Sequence, residues 1–206
     1  MAPSFEDAFR AASERQAHAR HEHGDRERRA QDGRSQARAI AEPALRALAE
    51  PVRRQLEASR IPTQTHTDRS RRGLFASRGR HFWPLAPSFR GAGETLNIAG
   101  WSSDSLVLTR DGHFTMDYRR PGSEGFEALL TDIDMADASR PPAGTRSGSL
   151  FVDRATRLVH YFGRLDNGVD EQAVRELSTY LGDLIVQLEL VERNRRNGTA
   201  YGSRTR

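Results

Sequence analysis

Apolar side chains are spread very unevenly along this chain. From Ser4 to Arg38, after Phe5 and Phe9, the only apolar residue is alanine, set among Arg, Glu, Gln and His. Alanine, arginine, glutamate and glutamine favour helix intrinsically, and Glu22 stands one turn before Arg26, a spacing that supports a helix surface. With no apolar stripe to dock it, the pattern predicts a solvated helix broken near Gly24 and Gly33, or a segment that orders on a partner. From Ile40 to Ile61 the pattern changes. Leu45, Leu48, Val52 and Leu56 step by three, four and four, which puts them on one helical face able to pack. Pro43 suits a first helical turn, and Pro51 is expected to kink the helix or to begin a second one.

From His81 onward the period shortens. His81–Leu85, Thr95–Ala99 and Ser105–Thr109 read as strands, and His113–Arg119 places Phe114, Met116 and Tyr118 in alternation with polar residues, the two-residue period of a half-buried strand. Arg110-Asp111-Gly112 between two of them is a hairpin signal, with glycine supplying positive φ. Phe126–Ile133 reads as a further strand, and Leu150–Val152, a turn at Asp153–Thr156, and Leu158–Phe162 read as a second hairpin. Near the carboxyl end Val174, Leu177, Leu181, Leu184, Leu188 and Val191 step by 3, 4, 3, 4, 3, a heptad seam that Tyr180 and Ile185 widen. Aliphatic burial is worth roughly 1.5–3 kcal/mol per side chain, so the seam is expected to be covered. It can lie on its own sheet, on the Leu45–Leu56 face, or on a second copy of the chain.

The fold class expected is therefore α+β: an N-terminal helical arm, then an antiparallel β meander of six or seven strands closed by a long C-terminal amphipathic helix. The implied organisation is an arginine-rich helical arm over 1–61, a basic linker over 62–93, the β domain with its helix over 94–192, and a basic flexible tail over 193–206. Composition agrees with a core confined to part of the chain, since 36% of the 206 residues are hydrophobic and the mean hydropathy is −0.74.

Charge sharpens the picture. All 32 basic residues are arginine, and no lysine occurs. Residues 1–90 carry 18 Arg against 11 acids, whereas residues 91–206 carry 14 against 17, so the front of the chain is the part that attracts anions. Cysteine is absent, which excludes disulfides, thiol catalysis and cysteine-ligated zinc. The opening MAPSFEDAFR carries two acids and no apolar h-region, and no run of about 18 apolar residues occurs. A cytoplasmic protein with no membrane partner is the expectation.

Three groups of residues are chemical candidates. Arg69, Arg71, Arg72, Arg78, Arg80 and Arg90 lie in a stretch without an acid, interleaved with Phe75, Phe82 and Trp83, and Arg193, Arg195 and Arg196 begin the basic tail. Guanidinium forks bind phosphate, and aromatics stack on bases, so these residues are the candidate nucleic-acid or anion site. Asp132, Asp134 and Asp137 supply hard oxygens for Mg²⁺ or Ca²⁺, and two metals so held can drive phosphoryl chemistry. His18, His21 and His23 with Glu22 offer nitrogen and oxygen ligands for zinc, at a spacing unlike the zincin motif. His160, alone within a strand, reads as a packed residue. No serine elbow, P-loop or dinucleotide fingerprint is present, and nothing in these patterns calls for a cofactor.

The function expected is that of a non-catalytic protein-interaction or assembly protein. Contacts would be made through the β domain, the C-terminal helix and the N-terminal arm, and the partner would be another protein or a second copy of the chain. An accessory nucleic-acid-binding protein using the arginine-rich linker and tail is the alternative, and a metal-dependent hydrolase built on the three aspartates is the third class.

Overall fold

The computed structural model describes residues 5–66, 80–85, 106–116, 120, 122–139, 148–163 and 173–197. The strand expected at Thr95–Ala99, Tyr118, and Arg69, Arg71, Arg72, Arg78 and Arg90 lie outside the described residues. The architecture is α+β. A long N-terminal helix leads into two four-stranded sheets, and a C-terminal helix completes the core.

Helix α1 spans Phe5–Ala58 without interruption, through Gly24, Gly33, Pro43 and Pro51. The breaks expected at the glycines and the second helix expected at Pro51 do not occur. Proline costs about 3 kcal/mol inside a helix because it lacks an N–H and crowds the preceding turn. Here both prolines are exposed, as are Ala39 and Ala47, whose carbonyls lose their partners. The loss thus falls on the side where water can replace the missing bond. On the other side Ala37, Ala41, Leu45, Ala49, Val52 and Leu56 are all buried, and that packing holds the helix together across both positions.

The end of α1 is built by a local motif. Arg60 has φ 54, its N–H donates to Glu57 O, and Ile61 N–H donates to Leu56 O. This is the Schellman arrangement, with an arginine in the left-handed position usually given to glycine. Ile61 packs on the core as the accompanying apolar contact, and Pro62 then forbids further helix.

The first sheet is an antiparallel meander in the order β1 (Gln64–His66), β2 (Arg80–Pro84), β3 (Val107–Thr109) and β4 (Phe114–Thr115). The β3–β4 turn has Gly112 at φ 82, the conformation the Asp-Gly pair announces. Residues Phe126–Ile133 do not form the expected strand. Ser123–Thr131 is helix α2, with Phe126, Leu129 and Leu130 buried. Those three, with Ile133, fall at i, i+3, i+4 and i+7, a helical stripe that reads as strand only when its Glu and Ala are ignored. Gly125 lets α2 sit against the chain, since a Cβ there would lie 1.7 Å from Arg120 O.

The second sheet has the order β5 (Asp134–Ala136), β6 (Ser149–Asp153), β7 (Val159–Gly163) and β8 (Ala173–Glu176). β6, β7 and β8 are antiparallel, but β5 runs parallel to β6. Eight described strands in two sheets thus replace a single meander of six or seven. Helix α3, Leu177–Arg196, follows directly. One main core joins the carboxyl half of α1, the inner faces of both sheets, α2 and α3. Residues 37–61 of the expected arm therefore belong to the body.

Candidate interaction surfaces

Two features project from this body. The first is the amino-terminal part of α1, where almost every described side chain between Phe5 and Gln36 is exposed. At 1.5 Å per residue this is a rod of about 48 Å. Its charges are balanced, with seven arginines and seven acids between Phe5 and Gln36. They pair along the helix: Arg26 with Glu22 at 3.3 Å and Arg28 with Asp25 at 3.6 Å. His18 lies 3.8 Å from Glu22, and His23 lies 3.7 Å from Glu27. Each of the two arginine pairs adds only about 0.3–0.5 kcal/mol. At the tip Phe5 and Phe9 are 83% and 65% exposed, their rings stacked with centroids 6.4 Å apart. The rod leaves the body near Gly33, where an added Cβ would lie 3.4 Å from Asp134 Oδ1.

The second feature is the outward face of α3. Its inward face carries the heptad residues, and Leu177, Leu181, Leu184 and Leu188 are buried with Tyr180 and Ile185 in the protein's own core. Val191 is half-buried, and Val174 is not on the helix at all. It lies in β8, opposite Phe162, and packs on the far side of the sheet with Ala136 and Phe151. The register of strand and helix happens to continue the 3–4 spacing across their junction. On the outward side Val186 and Leu190 remain 57% and 50% exposed.

Tyr180 ties the two sheets together. Its hydroxyl donates to Leu85 O at 2.5 Å, and its ring stacks on Tyr161 at 4.0 Å with a 22° interplanar angle. Burial raises both phenol pKa values, that of Tyr180 well above the usual 10.0, so both hydroxyls stay neutral.

Of the basic candidates that are described, Arg195 and Arg196 serve the body. Arg195 and Arg196 both donate to Glu192 Oε1, at 2.9 and 3.0 Å, and Arg196 also donates to Arg60 O at 2.8 Å and Ser59 O at 3.3 Å. It thereby satisfies carbonyls left open at the end of α1. Burial pushes the Glu192 carboxyl up, and the two guanidinium hydrogen bonds more than offset this, so its pKa lies below the ordinary value. Glu189 adds to the same joint, accepting from Gln55 Nε2 at 2.9 Å and from the Ser59 hydroxyl. Arg193, like Arg195 and Arg196, is helical, so the expected flexible tail does not begin at 193. Arg80 opens β2 and is exposed, but its aromatic neighbours Phe82 and Trp83 are buried. The Trp83 indole N–H donates to Ile61 O at 3.0 Å, and neither ring is open to stack on a base.

The aspartates are likewise used locally. Asp132 closes α2, Asp134 Oδ1 accepts from Met135 N at 2.7 Å, and Asp137 Oδ1 accepts from Ser139 N and Oγ. Among the described residues no three His, Asp or Glu side chains converge as a metal site would require. His21 of the histidine group is exposed. His160 stacks on Phe151 at 5.6 Å, with Nδ1 3.2 Å from Leu158 O.

The carboxylate that matters most to the fold is Asp153, which no motif singles out. Oδ1 accepts from Ala138 N at 2.9 Å, and Oδ2 accepts from Thr156 N and Oγ1, each at 2.8 Å. The Ala138 N–H, then the two Thr156 donors, hold its pKa at about 2 against an ordinary 3.8. The turn at Asp153–Thr156 was legible, but the reach to Ala138 beyond β5 was not. No protein-family model, curated protein or solved structure matches this chain.

Proposed function

We propose that the chain is a non-catalytic protein-interaction or assembly protein that presents its amino-terminal rod to a protein partner. The observation that carries this reading is the exposed Phe5–Phe9 pair at the end of a helix that otherwise shows only polar and small side chains. A polar rod of this length adds little to the core's stability, since most helical stability comes from tertiary packing. Two aromatics one turn apart on such a rod suit an apolar groove, the way amphipathic helices anchor on their receptors. The even charge balance of the rod favours a protein surface over a polyanion.

The nucleic-acid reading rests on Arg69–Arg90, most of which lies outside the described residues, and it draws no support from Phe82, Trp83, Arg195 or Arg196, all engaged in the body. The metal-dependent hydrolase draws none from the aspartates.

The test places a photo-reactive phenylalanine analogue at Phe9 in the native host, with the same probe at Gln16 as control and with nuclease-treated and untreated samples in parallel. Discrete protein adducts at position 9 that survive nuclease and are absent at position 16 are the expected result. Adducts that vanish with nuclease, or none at either site, overturn the proposal.

A further inference from the structure

We infer that the outward face of α3 is a homodimer seam, in which two copies pair antiparallel about a two-fold axis midway between Val186 and Leu190. The inference rests on the reading of the chain as an assembly protein and names a second copy as one of its partners. Along α3 the exposed positions Thr179, Gly182, Asp183, Val186, Leu190 and Arg193 form one stripe, about 21 Å long at 1.5 Å per residue. Val186 and Leu190 are the two large apolar side chains on it, at 57% and 50% exposure, on a helix whose other apolar face already fills the core.

A second copy is favoured over another occupant by the order of charges. In an antiparallel pair centred between Val186 and Leu190, each Val186 meets the partner's Leu190, and each Asp183 meets the partner's Arg193. The acid and the base flank the apolar centre at equal distances on opposite ends, so the stripe is complementary to itself, as an isologous contact demands. A parallel pairing would set Asp183 against Asp183 and Arg193 against Arg193, which like-charge repulsion disfavours. Gly182 adds room, since an extra Cβ there would meet nothing within 4 Å. Asp183 also accepts from Arg175 at 2.8 Å within its own chain, and both side chains keep substantial exposure. That pairing fixes the carboxylate on the stripe and leaves it a second oxygen for the partner.

A seam of one helix per subunit is at the small end of protein interfaces, so the dimer is expected to dissociate in the range of about 1–100 μM. The experiment is sedimentation equilibrium on the full chain from about 1 to 500 μM, a span chosen to bracket that range. The wild type is expected to pass from monomer to dimer. Val186→Asp with Leu190→Asp, both at exposed positions, is expected to remain monomeric throughout with an unchanged thermal midpoint. Arg193→Asp and Asp183→Arg, each alone, are expected to weaken the dimer about tenfold or more. An equimolar mixture of those two variants is expected to dimerise again, because each copy then offers the charge that the other lacks. A wild-type monomer at every concentration overturns the inference. So does a dimer that survives the double aspartate change, or a charge-variant mixture no tighter than its components. The crosslinking experiment at Phe9 does not involve α3, so the seam and the rod can fail independently.

Discussion

The Tyr180–Leu85 hydrogen bond makes an asymmetric prediction for the two stacked phenols. Tyr180 donates to the buried Leu85 O at 2.5 Å, whereas Tyr161 meets Tyr180 through their rings, with centroids 4.0 Å apart. Tyr180→Phe therefore strands a buried carbonyl. An orphaned buried acceptor costs about 1–3 kcal/mol, and that is the expected loss of stability. Tyr161→Phe leaves the Tyr180–Leu85 bond intact, so its cost is expected to stay under about 1 kcal/mol. Urea unfolding with linear extrapolation measures both, and the ring stacking is retained because phenylalanine keeps the ring. If Tyr161→Phe costs as much as Tyr180→Phe, the bond to Leu85 does not carry the difference and the reasoning fails.

Three further outcomes are expected. The Asp153 pKa is lowered from 3.8 to about 2 in the folded state, so its contribution is complete above the unfolded value and is lost as pH falls through about 4 to 2. Asp153→Asn is therefore expected to be less stable at neutral pH and to show a shallower loss over that acid window, read by thermal melts at each pH. Gly163→Ala would place a Cβ 2.3 Å from Tyr161 Cε1, and a buried ring stacked on Tyr180 cannot swing aside. An overpacking cost of about 1–3 kcal/mol is expected, with an altered near-UV tyrosine signal, and a change under about 0.5 kcal/mol would refute that close contact. Leu45→Ala, at a wholly buried site of α1, is expected to cost about 2–5 kcal/mol in urea. The same change at Phe5 or Phe9 is expected to cost less than about 0.5 kcal/mol, which separates the packed half of α1 from the exposed rod.

What was legible from the chain was local. The periodic face Leu45–Leu56, the turns at Asp111-Gly112 and Asp153–Thr156, and the apolar stripe Leu177–Leu188 all appear as elements of the predicted kind. In each case the deciding interactions join residues a few positions apart. The errors have two causes. Phe126, Leu129, Leu130 and Ile133 carry helical spacing of their own, so that helix was legible locally, and what the fold adds is its contact with α1, where Arg46 lies 4.8 Å over the Phe126 ring and Arg38 pairs with Glu127. Val174 left the heptad because β8 pairs with β7, and a strand turns its side chains by a different period from the helix that follows.

The amino-acid order by itself thus determined that a polar helix leads, that strands follow, and that a leucine-lined helix closes the chain, because backbone propensity and side-chain period act over one or two turns. Only the tertiary structure decided that α1 runs unbroken past two prolines, that β5 lies parallel to β6, that Arg196 closes the end of α1, and which side of α3 stays in water. Those outcomes depend on which distant surfaces meet, and burial and hydrogen-bond satisfaction across the core set them at energies larger than any local preference.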